Sequence, residues 1–381
     1  MKPIRILAIG HSYALRVNRA IAREVAKDDD FQVTIAAPNF FQGDLRPVHC
    51  EPEPKDSPLA VVPIPTHWTK QIHVFRYDAK SLRQLLLLGQ FDGVHAWEEP
   101  YIFAGYQIAK AVRQTRGHFC FRTAQSLNKH YPPPFSFFEK TVLRSSKLWI
   151  AGGKSVFENL VSRGYSRSKG RIITLAVDTA AFKPHTEPLR LQVRQELGLD
   201  APVIGYVGRL VPAKGLRVLM KALEGIEPAL PWSLLLLGSG PMQAEIEQWA
   251  RRRGWERRVR IHLAKHDDVP RYLSAMDMMV APSQTTRNWK EQFGRMLIEA
   301  FACGVPVIAS DSGEIPFVVQ DAGIIAPEKD TSAWRRGIEQ LLASASLRDA
   351  LRRKGFARVR EYSAAHVAGQ FRGFYRELVH G

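Results

Sequence analysis

Two carboxylates eight residues apart are the strongest chemical signal in this sequence. They close the segment Glu291-Gln-Phe-Gly-Arg-Met-Leu-Ile-Glu299. The Phe293-Gly294 turn predicts a helix start, so Glu291 should lie just before the helix and Glu299 in its second turn. A helix N-terminus offers free backbone N–H groups and positive potential, which suit phosphate or hydroxyl oxygens. Carboxylates that accept from vicinal hydroxyls suit a sugar or a ribose; the alternative is an amphipathic helix with two solvated glutamates.

Two cations follow a predicted strand in Tyr206-Val-Gly-Arg-Leu-Val-Pro-Ala-Lys-Gly215. The strand should end at Gly208, which places Arg209 and Lys214 at its carboxyl end. Two cations five residues apart can hold a diphosphate from two sides and stabilise the charge that develops on a departing phosphate. The alternative is a pair of solvated loop cations.

Together these segments resemble the retaining glycosyltransferases of the family-4 type, which have the GT-B fold. The resemblance implies an α/β protein with two facing Rossmann-like domains, an inter-domain cleft and a nucleotide-sugar donor. It implies that Glu291 contacts the donor sugar and Glu299 the ribose. The residues it assigns to catalysis are Glu291, Arg209 and Lys214, and those it assigns to donor binding are Arg209, Lys214, Gly238, Phe293, Gly294, Glu299 and Gly10.

Acceptor contacts are predicted on the first domain. Glu98 and Glu99 follow a strand, where they either contact the acceptor or act as an acidic pair at a helix N-terminus. Gln125 stands where many members of the family have histidine, and Asn128 follows it. Because glutamine binds hydroxyls but cannot act as a base, a histidine base at this position is excluded and a front-face mechanism is favoured. For His11, beside Gly10, we favour a cap or loop role over a catalytic one.

Alternating strand and helix patterns indicate parallel sheets covered by helices. We predict an N-terminal acceptor-binding domain over 1–182 and a C-terminal nucleotide-sugar-binding domain over 183–360. Residues 361–381 should form a helix that packs back on the N-terminal domain. The segment Phe40–Pro65 is rich in proline and polar residues and predicts a long surface loop.

The charge balance points to an anionic partner. The chain has 54 Lys and Arg against 37 Asp and Glu, a formal net charge of +17. Between Pro100 and Phe138 there is no acid, and the basic residues there are Lys110, Arg113, Arg116, Arg122 and Lys129. This stretch predicts docking to an anionic membrane surface; the alternative is a basic surface that serves solubility or attracts the donor. A nucleic-acid-binding protein is supported by charge alone, since no such motif is present.

The remaining composition narrows the class of protein. Three scattered cysteines predict neither a disulfide nor a metal site, and they fit a reducing cytosol. No apolar run is long enough to span a bilayer, so we expect a cytoplasmic protein, peripheral on the cytoplasmic face of the membrane. We expect no cofactor and no metal, and neither a base-reading side chain nor a sugar can be named.

The sequence therefore predicts a metal-independent, retaining transfer from a UDP- or GDP-sugar to a glycan or lipid-linked acceptor, in cell-surface polysaccharide or glycolipid synthesis. The alternatives within enzymes are an epimerase or a phosphorylase-like protein of the same fold. A phosphorylase would need a pyridoxal lysine region, which the sequence lacks.

Overall fold

The structure is a computed structural model that describes residues 2–42 and 47–381. The chain folds into two compact units. The first comprises Met1–Leu175 with Ala364–Gly381, and the second comprises Ala176–Ser363.

The described part of the first unit is built on a seven-stranded parallel sheet in the order β11-β10-β9-β8-β1-β2-β5. Two short antiparallel pairs, β3–β4 and β6–β7, accompany it. The strands are β1 Ile4–Ile9, β2 Phe31–Pro38, β3 Phe40–Phe41, β4 Val48–His49, β5 Ala60–Ile64, β6 Thr66–His67, β7 Arg76–Tyr77, β8 Gly93–Ala96, β9 His118–Thr123, β10 Leu148–Ala151 and β11 Gly170–Ile172.

Helices connect these strands and cover the sheet. They are α1 Ala20–Ala26, α2 Ala79–Gly89, α3 Phe103–Val112, α4 Phe135–Ser145 and α5 Lys154–Ser162. Helix α3 packs against both α2 and α4. Buried side chains such as Trp149 and Phe121 join the helices to the sheet in one apolar core, which fixes the carboxyl ends of the strands relative to one another.

The predicted surface loop Phe40–Pro65 is wrong for part of its length. Strand β5 lies in this segment and pairs in parallel with β2 at the edge of the sheet. Pro63 in β5 is tolerated because an edge strand needs only one row of ladder hydrogen bonds. Residues 43–46 of the segment lie outside the described residues.

The second unit contains a six-stranded parallel sheet in the order β14-β13-β12-β15-β16-β17. Its strands are β12 Val203–Val207, β13 Ser233–Leu237, β14 Val259–His262, β15 Met278–Ala281, β16 Val307–Ser310 and β17 Gly323–Ala326. Its helices are α6 Glu187–Leu197, α7 Leu216–Glu224, α8 Gln243–Arg253, α9 Val269–Ser274, α10 Arg295–Ala302, α11 Ile315–Val319, α12 Thr331–Ala343 and α13 Ala345–Val359.

The final helix, α14 (Ala364–His380), belongs to the first unit, although it follows the second in sequence. It packs against α1. Its Arg372 donates to the Glu24 carbonyl oxygen at 3.1 Å, and its Glu377 forms an ion pair with Arg171. The prediction of two Rossmann-like α/β domains is confirmed.

Candidate active site

The strand ends of the second unit place two glycines where backbone meets backbone. Gly208 follows β12, and its N–H donates to the Leu237 carbonyl oxygen at 3.0 Å. Gly238 follows β13 with φ of 152°, and a Cβ there would lie 1.9 Å from the Gly208 carbonyl oxygen. Gly238, predicted to bind the donor, is therefore required by close packing of the two strand ends whatever else it contacts.

Lys214 and Glu291, both predicted to act on the donor, lie together in the structure. The Lys214 Nζ donates to Glu291 Oε2 at 2.6 Å, and the Ser283 hydroxyl donates to the same oxygen at 2.7 Å. Both charged side chains are largely buried, 13% exposed for Lys214 and 9% for Glu291. The Trp289 ring lies 4.8 Å from the Lys214 Nζ. The Lys214–Glu291 ion pair is thus contacted by an aromatic ring and a hydroxyl group, close to the carboxyl ends of the strands.

Tyr206 lies near both Arg209 and this cluster. The buried Tyr206 hydroxyl donates to the Arg209 carbonyl oxygen at 2.7 Å. Burial raises the pKa of Tyr206, with the Glu291 carboxylate acting in the same direction and the Arg209 guanidinium opposing it. Tyr206 thus feels both charges, so Arg209 and Glu291 both lie near one buried phenol.

Helix α10 begins after Gly294, as predicted from the turn, so Glu291 precedes the helix and Glu299 lies in its second turn. Gly294 has φ of 83°, a left-handed conformation that favours glycine. The buried Phe293 ring packs edge-on against Tyr362, with centroids 5.6 Å apart. This contact fixes the turn whose backbone N–H groups were predicted to face the donor.

Glu299 is buried, with 5% of its surface exposed. Burial raises its pKa to about 7, and Arg295, one turn earlier on α10, opposes the rise. The carboxyl therefore changes charge near neutral pH, and hydrogen bonds from ribose hydroxyls would favour the ionised form.

In the first unit, Glu98 holds a histidine instead of facing open space. Glu98 is 1% exposed. Its Oε1 accepts from the His11 backbone N–H at 2.6 Å and from the Tyr77 hydroxyl at 2.8 Å, while Oε2 contacts His11 Nδ1 at 2.6 Å. An ionised carboxylate only accepts, so this contact places a proton on Nδ1 of the ring. Phe41 stacks on the imidazole, with centroids 5.1 Å apart.

The other residues predicted in this unit have local partners. Glu99 accepts from the Thr123 hydroxyl at 2.5 Å and from the Ala124 N–H at 2.8 Å, and burial raises its pKa. The Gln125 amide donates to the Tyr131 hydroxyl at 2.5 Å, whereas Asn128 is exposed. The Gly10 N–H donates to the Ala36 carbonyl oxygen at 3.1 Å, in line with the β1–β2 ladder. Glu99 thus secures the end of β9, and Gln125 orients Tyr131.

A cavity of about 870 Å³ opens beside His11 in the first unit. Its polar lining includes His11, Asn18 and His73, and its apolar lining includes Phe41 and Phe135. The four predicted acceptor residues are not among the residues that line it. Glu98 and Gln125 reach it indirectly, through His11 and Tyr131 respectively. A cavity of this size holds a ligand as large as a short glycan with an apolar portion.

Two family descriptions match the chain, one on each half. "Glycosyl transferases group 1" matches residues 190–358, and "Glycosyltransferase Family 4" matches residues 14–181. The chain belongs to the family-4 type of GT-B glycosyltransferases. The first match contains the Lys214–Glu291 cluster and Glu299, and the second contains the Glu98 carboxylate and Gln125.

Curated relatives of this chain include a D-inositol 3-phosphate glycosyltransferase of Corynebacterium urealyticum. It is 31% identical over 234 residues, which cover 57% of this chain and 54% of the relative. The chain thus spans about half the length of this relative. The similarity agrees with the family assignment.

Solved structures share the fold over nearly the whole chain. A glycosyltransferase from Rickettsia africae has a TM-score of 0.78 at 16% identity, covering 100% of both chains. HepE from Anabaena, in complex with UDP and glucose, has a TM-score of 0.76 at 17% identity, covering 98% of this chain and 100% of that chain. These likenesses show a GT-B fold.

Several residues of the site were not predicted from the sequence. Ser283 and Trp289 contact the Lys214–Glu291 pair and Arg295 lies one turn before Glu299, and the His11–Glu98 contact was not foreseen. Arg295 had a signal, since it lies four residues before Glu299 and therefore on the same helix face. No local signal connects His11 with Glu98, because the contact joins the ends of two neighbouring strands, β1 and β8.

Within residues 2–42 and 47–381, no group of three or more His, Cys, Asp or Glu side chains is placed to hold a metal ion. In the same residues, no helix has the length and apolarity needed to cross a membrane.

Proposed function

We propose that this protein is a retaining glycosyltransferase that moves a sugar from a UDP- or GDP-sugar to a glycan or lipid-linked acceptor. The setting would be the synthesis of cell-surface polysaccharide or glycolipid, with the enzyme in the cytoplasm at the face of the membrane. The observation that carries the proposal is the Lys214–Glu291–Ser283 cluster near the carboxyl ends of parallel strands, with Tyr206 close to both Glu291 and Arg209. Ligands of open parallel sheets bind at these ends.

On the donor side, Arg209 and Lys214 would contact the diphosphate, Glu291 the sugar and Glu299 the ribose. The Lys214–Glu291 pair keeps a cation and a carboxylate within one small volume. A diphosphate that approaches Lys214 would therefore bring its sugar towards Glu291. UDP and glucose are bound by HepE, which shares the fold, and this supports a nucleotide sugar as the donor here.

In the chemical step, the bond between the anomeric carbon and the β-phosphate oxygen breaks, and an acceptor hydroxyl oxygen bonds to that carbon from the same face. The departing phosphate oxygen takes the hydroxyl proton, so no enzyme base is required. Arg209 and Lys214 stabilise the negative charge that develops on the diphosphate. Gln125 at the position of the usual histidine agrees with such a step, since an amide cannot accept the proton.

We propose that the acceptor binds in the 870 Å³ cavity beside His11. The His11 ring, which lines the cavity and is held at Nδ1 by Glu98, would contact an acceptor hydroxyl. The aromatic walls from Phe41 and Phe135 suit the apolar face of a sugar ring or the start of a lipid.

The test is a panel of UDP- and GDP-sugars, each assayed for hydrolysis, with NMR of the released sugar to read its anomeric configuration. Acceptor arms contain short glycans, alkyl glycosides and, following the relative's name, D-inositol 3-phosphate. Retained configuration with one donor supports the proposal. Inverted configuration contradicts it. A nucleoside diphosphate present at 100 times its Kd should raise the free energy of unfolding by about 2.7 kcal/mol, and the absence of any such stabilisation also contradicts the proposal.

Turnover is expected to persist in excess EDTA, because Arg209 and Lys214 already supply the positive charge that a divalent ion would bring to the diphosphate. The measurement is the initial rate before and after dialysis against EDTA, with and without added magnesium or manganese. Loss of activity that either metal restores would contradict metal-independent transfer.

Glu98→Gln is expected to lower transfer to the acceptor by about 10- to 100-fold, the scale of a misplaced reacting group. The amide cannot accept all three hydrogen bonds that the carboxylate accepts, so the His11 ring loses its fixed position. Hydrolysis of the donor by water and affinity for the nucleoside diphosphate should stay within twofold. Tyr77→Phe is the control, because it removes one donor and keeps the carboxylate. An equal loss of nucleotide affinity in Glu98→Gln would count against an acceptor role.

A further inference from the structure

A second cavity of the first unit lies between helices α2 and α3. Its volume is about 510 Å³. Apolar side chains form part of its wall, with Leu82 from α2 and Phe103, Tyr106 and Ala111 from α3. None of the donor or acceptor roles proposed above uses these four side chains. The cavity is therefore an apolar site without an assigned ligand.

Cations border this cavity. Arg76, Arg83 and Lys110 line it, and the last two are exposed. Among the described residues of its lining, Asp78 is the single acid, and its Oδ1 accepts from the Ser81 N–H and hydroxyl at 2.8 and 2.7 Å. These hydrogen bonds lower the pKa of Asp78, which stays ionised as the N-cap of α2. Three cations against one carboxylate leave the border positive.

Two exposed aromatic side chains flank the cations. Trp68 is 62% exposed, and the Arg76 guanidinium lies 4.4 Å from its ring. Its φ of 59° is strained for a bulky residue. Phe137 is 57% exposed, and its ring lies 5.7 Å from Tyr106 of the cavity wall. Large exposed aromatics beside cations are typical of surfaces that sit at the interface of a bilayer.

The surrounding helices continue the same chemistry. The exposed cations of α2, α3 and α4, with the residue that ends α3, are Lys80, Arg83, Lys110, Arg113, Lys140 and Arg144. Glu139, the acid of these three helices, is turned to Arg163 and Tyr165, with which it bonds at 2.6 Å. Leu88 of α2 is 73% exposed. Arg122, by contrast, is buried and stacks over Trp97, so this cation of the predicted basic stretch adds nothing to the surface.

We propose that the α2–α3 cavity binds one anionic phospholipid of a bilayer. The first acyl carbons would contact Leu82 and Phe103, and the phosphate would contact Arg83 and Lys110, while Trp68 and Phe137 enter the interface. This lipid site depends on the proposed function only for its biological purpose, which is to bring the acceptor cavity to a lipid-linked acceptor. Lipid binding itself is measurable without any turnover.

The first experiment is sedimentation with vesicles of phosphatidylcholine alone or with 30 mol% phosphatidylglycerol, at 50 and 500 mM NaCl. Binding should require phosphatidylglycerol and weaken in high salt. Arg83→Glu/Lys110→Glu should lower the partition coefficient at least about 30-fold, on the scale known for cations near an anionic leaflet. The matched control is Arg251→Glu/Arg252→Glu, which makes the same change of net charge at exposed positions of α8. Equal losses in both variants, or equal binding to the two vesicles, overturn the proposal.

The second experiment separates a lipid from a free phosphate. The probes are dihexanoylphosphatidylglycerol below its micellar concentration, dihexanoylphosphatidylcholine and inorganic phosphate, followed by calorimetry. The anionic lipid should bind at least tenfold more tightly than either of the others. Ala111→Phe fills the cavity without changing charge and should weaken that lipid at least tenfold. Unchanged lipid binding in Ala111→Phe, or phosphate that binds as tightly as the lipid, overturns the site.

Folding of each variant is read from its thermal transition. Its affinity for the nucleoside diphosphate checks separately that the second unit is intact. A second apolar variant, Phe137→Ser, keeps the test decisive if Ala111→Phe does not fold. Its vesicle binding should fall at least fivefold, and an unchanged value overturns the membrane contact. Failure of all nucleotide sugars with intact lipid binding would refute the proposed function and leave this inference standing.

Discussion

Lys214→Met is expected to reduce turnover by about 100-fold or more, the scale for losing one donor that stabilises transition-state charge. The variant should also be less stable. Glu291 would keep a buried charge without its partner, which costs about 3 kcal/mol or more. Turnover with the donor identified from the panel and denaturant unfolding measure the two effects separately.

Lys214→Met/Glu291→Gln separates catalysis from folding. Removing both charges of the pair should recover most of the stability, because neither a buried cation nor a buried anion is left. Turnover should stay low, since the diphosphate still lacks its cation. Recovery of turnover together with stability would show that Lys214 acts only by holding the fold.

Arg209→Ala, which removes the other cation of the same clamp, should also lose about 100-fold in turnover. The matched control is Arg217→Ala, which removes an exposed arginine of α7 that pairs with Glu245. The control should stay within twofold of the parent protein. Near-normal turnover in Arg209→Ala would contradict its assignment to the diphosphate.

Glu299→Gln is expected to stabilise the free protein at pH 8 while weakening its affinity for the nucleoside diphosphate. Burial raises the Glu299 pKa from 4.5 to about 7. The protonated carboxyl therefore makes its full contribution to the free energy of unfolding below the pKa that it has in the unfolded chain. This contribution is lost as the pH rises to the folded-state pKa near 7. The difference in unfolding free energy between variant and parent should grow from near zero at pH 4.5 to at most about 3 kcal/mol above pH 7. Denaturant titrations from pH 4 to 9 measure it.

Nucleotide affinity provides the functional half of this prediction. If the ribose hydroxyls donate to Glu299, affinity in the parent protein should rise with pH through 7, where the carboxyl ionises. Glu299→Gln should be weaker and should lack that rise. The nucleotide phosphate titrates in the same way in assays of both proteins, so a comparison of the two pH profiles removes its contribution. Parallel pH profiles would exclude the ribose contact.

The sequence by itself determined the parts of this protein that depend on short stretches of chain. The spacing from Glu291 to Glu299 and the intervening Phe293-Gly294 turn predicted helix α10, with Glu291 before it and Glu299 in its second turn. Strand β12, followed by Arg209 and Lys214, was equally local. Hydrophobic periodicity and turn residues identify single helices and strands. The alternation of these elements along the chain predicted two Rossmann-like domains.

Only the tertiary structure decided which side chains meet. Lys214 and Glu291 are separated by 77 residues, and His11 and Glu98 by 87, so no local pattern joins them. The order of parallel strands brings their loops together, and it makes Glu98, which was predicted to contact the acceptor, the buried partner of His11. The same packing placed Arg122 inside the first unit and added β5 to its sheet. Burial and long-range pairing arise from the packed fold, which is why charge and composition alone did not predict them.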